Sequence, residues 1–148
     1  FESHYKWNGS SWTNVSTLPN ALVYGYAVVY NNEIHILGGN SSSGNKSHYK
    51  WNGSSWESVS TLPYVFVKGS AVVLNDEIHI LGGDSSGYGL KSHYKWNGSS
   101  WTSVSTMPFP YGLNEGSAVV LNEEIHALSG SNGDYDNHYS YGEIYTKA

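Results

Sequence analysis

The feature that most constrains the fold of this chain is a decapeptide that recurs almost unchanged. SHYKWNGSSW occurs at 3–12, 47–56 and 92–101. A degenerate fourth copy starts at His138, with Tyr141 in the position of the first tryptophan. The copies lie 44 or 45 residues apart, a period typical of stacked repeat units. The sequence therefore predicts one repeat domain, 1–148, with repeats at about 3–46, 47–91 and 92–137 and a partial copy at 138–148.

Each repeat is predicted to contain four short antiparallel strands, which run in the chain order C, D, A and B within the repeat bounds given above. In the second repeat, strands A (69–75) and B (77–83) flank a tight Asn-Asp turn. Strands C (SHYKW) and D (SWESVST) flank Asn-Gly, a strong hairpin signal. β-branched and aromatic residues dominate these segments, and no stretch has helical periodicity. The predicted fold class is all-β.

The repeats share an apolar run that ends in two glycines and is followed by two spaced aromatic residues. These motif residues are Gly38, Gly39, Gly82 and Gly83, with Trp7, Trp12, Trp51, Trp56, Trp96 and Trp101. Over nearly the whole chain this set resembles the Kelch repeat of Kelch-type propellers and of the central domain of galactose oxidase. The first aromatic residue is usually Tyr in that family, and the third unit here has Ser129-Gly130 instead of a double glycine. The resemblance implies Kelch-like four-stranded antiparallel blades, with the glycines and tryptophans in structural roles.

About three blades per chain follow from this count of strands, whereas propellers usually close with four to eight. Three blades would leave an apolar face open at each end, so we expect a partner to cover them. A homodimer that completes a six-bladed β-propeller is the favoured expectation. The alternative is that the missing half belongs to a longer propeller.

Most of the variation between repeats falls in the B–C and D–A connections, which an up-and-down strand order places on one face. Loops on a rigid scaffold commonly carry binding residues. The candidate ligand-binding residues are Tyr24, Tyr64, Phe66, Lys68, Tyr88, Phe109, Tyr111, Asn114, Glu115, Asp134, Tyr135 and Asp136. Such a mix of aromatic, amide and charged groups suits a sugar or a protein loop.

Composition narrows the function classes. The net charge is −5 and all basic residues are lysines, which argues against nucleic acid and anionic membranes. Cysteine is absent, so disulfides are excluded, as is the Cys–Tyr copper site of galactose oxidase. The seven histidines occupy repeat positions without chelating spacing, and we expect packed side chains and no metal or cofactor.

The leading hypothesis is a non-catalytic module that recognises a glycan or a protein on the loop face. One alternative is a sugar-acting, epimerase-like Kelch enzyme that uses Glu115, Asp134 or Asp136. Another is a structural, self-assembling propeller fragment. By resemblance, the low charge and abundant Tyr, Ser and Asn suit an extracellular, cell-surface or virion-associated protein.

Overall fold

A computed structural model describes residues 2–39, 45–85, 88–109, 112–128 and 138–141. All regular secondary structure in these ranges is β-strand, which confirms the predicted fold class. The strands are β1 (Ser3–Trp7), β2 (Trp12–Thr17), β3 (Tyr26–Tyr30), β4 (Glu33–Leu37), β5 (Ser47–Trp51), β6 (Trp56–Thr61), β7 (Ser70–Leu74), β8 (Glu77–Leu81), β9 (Asp84–Ser85), β10 (Tyr88–Gly89), β11 (His93–Trp96), β12 (Trp101–Ser103), β13 (Ser117–Leu121), β14 (Glu124–Leu128) and β15 (His138–Tyr141).

The strands form a series of antiparallel sheets that follow the repeats. Sheet 1 has the order β3-β4-β5-β6, and sheet 2 the order β7-β8-β11-β12. Sheet 3 contains β13-β14-β15, and the hairpin β1–β2 precedes sheet 1. A small hairpin, β9–β10, lies in the B–C connection of sheet 2 and was not predicted. Each sheet thus joins the A and B strands of one repeat to the C strand, and in sheets 1 and 2 also the D strand, of the next copy.

The two kinds of predicted hairpin turn both form, with different geometries. In the A–B turn, Asn75 and Asp76 both have positive φ (51° and 56°), which matches the twist of the flanking strands. The C–D turn is a four-residue loop, since Trp51 pairs with Trp56. The side-chain oxygen of Asn52 closes this loop by accepting hydrogen bonds from two backbone N–H groups, each at 2.9 Å.

The sheets pack face to face in chain order, so each has a leading face toward the next sheet and a trailing face toward the previous one. On the leading face of sheet 1, Tyr30 and Leu37 pack against the trailing-face residues Ile78, Ile80 and Trp96 of sheet 2. The leading face of sheet 2 packs in the same way on sheet 3. The A strands β3, β7 and β13 contact one another in turn, so they form the inner edge of the series.

Sheet 3 has apolar side chains at the equivalent positions of its leading face, but these side chains are exposed. Val119 and Leu121 are 51% and 57% exposed, whereas the equivalent Val72 and Leu74 are each 8% exposed. The first hairpin is similarly open, with Trp12 66% exposed. Among the described residues, no helix has the length and hydrophobicity that crossing a bilayer requires.

Candidate functional site

The D–A loops bring one residue of each repeat into a row along the inner edge. Tyr24, Lys68 and Glu115 each precede a glycine that leads into an A strand. All three have left-handed backbones, with φ of 58°, 57° and 56°. The Lys68 N–H donates to the Tyr24 carbonyl (3.1 Å), and the Glu115 N–H donates to the Lys68 carbonyl (2.8 Å). We call these three residues the inner-rim row.

The side chains of the inner-rim row interact with one another. The Lys68 ammonium lies 2.8 Å from Glu115 Oε1 and 3.8 Å from Asp84 Oδ2. It also lies 5.1 Å from the centre of the Tyr24 ring, within cation–π range. The hydrogen bond to Glu115 raises the pKa of Lys68 above its ordinary value, so the ammonium stays charged. An aromatic ring, a cation and two carboxylates therefore share one patch.

The patch is accessible. Tyr24 is 53% exposed, and the side chain of Glu115 is 54% exposed. Lys68 and Asp84 are partly covered, with 26% and 15% of their side chains exposed. A ligand could reach the Tyr24 ring and the Glu115 carboxylate directly, while Lys68 and Asp84 hold the arrangement from beneath.

The double glycines allow each D–A loop to sit against the preceding repeat. The Gly39 N–H donates to the Phe66 carbonyl (3.1 Å), and the Gly83 N–H donates to the Leu113 carbonyl (2.8 Å). A Cβ on Gly82 would collide with that Leu113 carbonyl, so no other residue fits there without movement. These motif glycines position the loops that carry the inner-rim row.

Several other predicted ligand residues lie inside the protein. Phe66 and Phe109 are 0% and 1% exposed. Their rings belong to the core, so the prediction that they contact a ligand is wrong. Tyr64 donates a hydrogen bond from its hydroxyl to the Gly82 carbonyl (2.7 Å), and burial raises its pKa. Asn114 is half-buried, and its Oδ1 has no hydrogen-bond partner in the described part of the chain.

The remaining candidates are only partly described or not described. The backbone of Tyr88 pairs with Ser85 in the β9–β10 hairpin. Tyr111, Asp134, Tyr135 and Asp136 lie outside the described residues. The structure therefore brings together three predicted residues, Tyr24, Lys68 and Glu115. Asp84, which sequence reasoning missed, joins them because it directly follows a double glycine.

The motif residues Trp96 and Trp101 lie between sheets 1 and 2, together with a buried histidine. His48 makes edge contacts with Trp96 and Trp101, with ring centres 5.3 and 5.7 Å apart. The Trp101 indole N–H donates to Ser60 Oγ (3.1 Å), which lies 3.0 Å from His48 Nδ1. His48 Nε2 is 2.8 Å from Nδ1 of His35, so a hydrogen-bonded chain runs from Trp101 of sheet 2 through Ser60 and His48 to His35 on the face of sheet 1. The same histidine pairing recurs in sheet 2, where His79 Nδ1 lies 2.8 Å from His93 Nε2.

These histidines carry structural contacts, and the described residues contain no group of three or more potential metal ligands. Burial and the neighbouring His35 lower the pKa of His48 to about 3. His93 is lowered to about 3 by burial, followed by His79 and Lys95. Both rings are therefore neutral near pH 7.

A second feature of the loop face lies farther out. An open depression of about 250 Å³ is lined by polar side chains and one tyrosine, namely Asn45, Lys46, Ser47, Tyr49, Ser58, Ser60 and Thr61. Its walls are the ends of strands C and D in sheet 1. It holds no acidic side chain, in contrast to the inner-rim row.

Comparison with known proteins supports the fold. No protein-family model and no curated protein matches the chain. Among solved structures, one described as "Structure of YjhT" is similar, with a TM-score of 0.63 at 20% sequence identity. The match covers 77% of this chain and 36% of that one, so the chain spans about a third of its length. Similarity at this level concerns the fold alone, which is all-β and propeller-like.

Proposed function

We propose that this chain is a non-catalytic recognition module built from Kelch-type blades, and that it binds a neutral sugar at the inner-rim row. The observation that carries the proposal is the alignment of Tyr24, Lys68 and Glu115 by backbone hydrogen bonds on one accessible edge. The repeat motif of spaced glycines and tryptophans supports the Kelch assignment, and the structural similarity supports a propeller-like fold. The proposal also includes a second copy of the chain, which completes the ring.

Sugar recognition fits the chemistry of the row. The exposed face of Tyr24 offers an apolar surface to the C–H groups of a pyranose ring. Glu115 and Asp84 can accept hydrogen bonds from hydroxyl groups, and Lys68 can donate them. A few polar groups beside an aromatic surface are typical of small-ligand sites.

Charge favours a neutral ligand over an anionic one. The patch contains one ammonium and two carboxylates, and the whole chain has a net charge of −5. Both fields repel sulfated or sialylated glycans. We therefore expect binding of neutral oligosaccharides and weak binding of acidic ones.

The proposal predicts that changes in the row abolish sugar binding. On an oligosaccharide array with neutral, sialylated and sulfated members, the wild-type protein should bind neutral members. Tyr24→Asn, which keeps a residue tolerant of the left-handed backbone, should weaken binding at least about tenfold because the stacking surface is lost. Glu115→Gln should weaken it similarly because a charged acceptor is lost.

Glu123→Gln is the matched control for Glu115→Gln. Glu123 is also exposed and also has a positive φ (63°), but it lies in an A–B turn on the opposite face. Its substitution should leave binding unchanged. Selective binding of acidic glycans, or neutral binding that survives Tyr24→Asn, would reject the proposed site. Chemical conversion of the bound sugar that is lost in Glu115→Gln would favour the enzyme alternative.

A further inference from the structure

We propose that the N-terminal hairpin β1–β2 of one copy completes sheet 3 of a second copy, by displacing β15 from the edge of β14 and pairing β1 with β14. The exchange is reciprocal, so two chains form a closed ring of six four-stranded sheets. This interface does not require the sugar site.

Strand β1 of the hairpin has an edge that the equivalent strands β5 and β11 use for pairing. Strands β5 and β11 contain the same SHYKW sequence as β1, and each pairs with the B strand of its own sheet. Among the described strands, β1 pairs only with β2. In the register of sheets 1 and 2, Trp7 would pair with Ile125, and His4 with Leu128.

Charge complementarity favours β1 at this edge. In sheet 1, Lys50 lies 3.1 Å from Glu33, and in sheet 2, Lys95 lies 3.0 Å from Glu77. The equivalent carboxylate in sheet 3 is Glu124, and β1 supplies the exposed Lys6. Strand β15, which occupies this edge in the single chain, has Ser140 at the lysine position. In the single chain Glu124 lies 3.9 Å from His126 Nε2, and the docked hairpin would give it in addition the lysine partner that Glu33 and Glu77 have.

The exposed tryptophans of the hairpin are a second argument for docking on β14. Trp7 and Trp12 are 51% and 66% exposed, whereas the equivalent Trp96 is 4% exposed. Docking on β14 places them over sheet 2, next to His93 and Ser105, which are the counterparts of His48 and Ser60. The Trp12 indole N–H then donates to Ser105 Oγ, as the Trp101 indole N–H donates to Ser60 Oγ.

Docking of the hairpin also covers the exposed leading face of sheet 3. Within one chain the hairpin already packs in front of sheet 1, with His4 and Trp51 ring centres 5.2 Å apart. Once it has docked, sheet 1 of that chain therefore faces sheet 3 of the other. Val29, 65% exposed, then lies against Val119 and Leu121. All these exposed surfaces become equivalent to interfaces that the chain already contains.

The wild-type chain lacks cysteine, which permits a direct test by disulfide trapping. Tyr5→Cys and Ala127→Cys would be made in separate chains, mixed and oxidised. Paired residues of neighbouring strands lie within disulfide reach. A dimer that forms only in the mixture and dissociates on reduction is the expected result.

Controls separate this register from random contact. Tyr5→Cys mixed with Glu123→Cys should not crosslink, because Glu123 lies in a distant turn. His4→Cys with Leu128→Cys provides a second pair in the same register, should Ala127→Cys disturb the core. Absence of crosslinks in both pairs, or crosslinks equal to the control, would overturn the proposal. So would a bond within one chain that carries both Tyr5→Cys and Ala127→Cys. The interface rests on the second copy included in the proposed function, but glycan binding plays no part in this readout, so the sugar site and the interface can fail independently.

Discussion

At the scale of single residues, the double glycines allow one repeat to approach the next closely. Gly82 has a φ of 67°, and its Cα faces the Leu113 carbonyl of the following D–A loop. Gly53, in a C–D turn, has a φ of 99° but no atom within 4 Å of the Cβ that a side chain would add. Alanine substitutions at these two glycines therefore distinguish the cost of backbone strain from the cost of steric overlap.

Gly82→Ala should cost far more stability than Gly53→Ala. The exposed turn substitution carries only the left-handed backbone penalty, about 1–2 kcal/mol. Gly82→Ala adds a collision inside a packed interface, so we expect a total loss of about 3 kcal/mol or more in the free energy of unfolding. Urea unfolding of both variants measures the difference, and equal losses would contradict the proposed close approach.

At the scale of elements, a pair of buried histidines and a serine lie at the interface between neighbouring sheets. The His48 ring is fully buried and lies between His35 and the tryptophans of sheet 2. Protonation would place a charge in this interface beside a second imidazole. The interfaces between sheets are therefore sensitive to acid.

The free energy of unfolding should fall as the pH drops from about 6.5 toward 3. The unfolded chain binds protons on His48 and His93 near their ordinary pKa of 6.5, whereas the folded pKa values are about 3. Each such histidine contributes a slope of up to about 1.4 kcal/mol per pH unit in that window. His48→Gln should reduce the slope measured by urea unfolding at several pH values. His4→Gln, at the equivalent but less buried position, should reduce it less, and equal effects would count against the interface explanation.

Strand pairing was largely predictable from the sequence, and the three residues of the inner-rim row were among the predicted loop candidates, but the prediction did not separate them from loop residues that are buried. Local signals such as Asn75-Asp76 set the hairpins, and the repeat places equivalent strands in equivalent sheets. Loop side chains depend instead on which of them pack beneath the next loop. Phe66 and Lys68 are two residues apart, yet one is in the core and the other on the rim. Comparison of the repeats separates the two positions, since the Phe66 position is apolar in each repeat (Leu22, Phe66 and Leu113), whereas the Lys68 position varies (Tyr24, Lys68 and Glu115).

At the scale of the whole molecule, identical side chains have different surroundings in the interior and at the end of the series. Val72 and Val119 occupy the same position of strand A, with 8% and 51% exposure. The first contributes to the stability of one chain. In the proposed ring, the second contributes to association between chains.

Val119→Glu should weaken association and leave the single chain folded. We expect the dimer dissociation constant to rise at least about tenfold, because a charge enters the apolar contact between copies. The stability of the isolated chain should change by about 0.5 kcal/mol or less, as for most surface substitutions. Light scattering over a dilution series measures the first and urea unfolding at low concentration the second. Val72→Glu should unfold the chain, and a dimer insensitive to Val119→Glu would place the interface elsewhere.

The left-handed residue before each A strand has an evolutionary consequence. Main-chain hydrogen bonds hold this position, and the adjacent glycine supplies the close packing, so the side chain itself is unconstrained by the frame. Tyr24, Lys68 and Glu115 already show three unrelated chemistries on nearly identical units. A gene that duplicates such a unit copies the scaffold and the variable slot together. Single codon changes at these positions can then vary the chemistry of the rim without altering the fold that displays it.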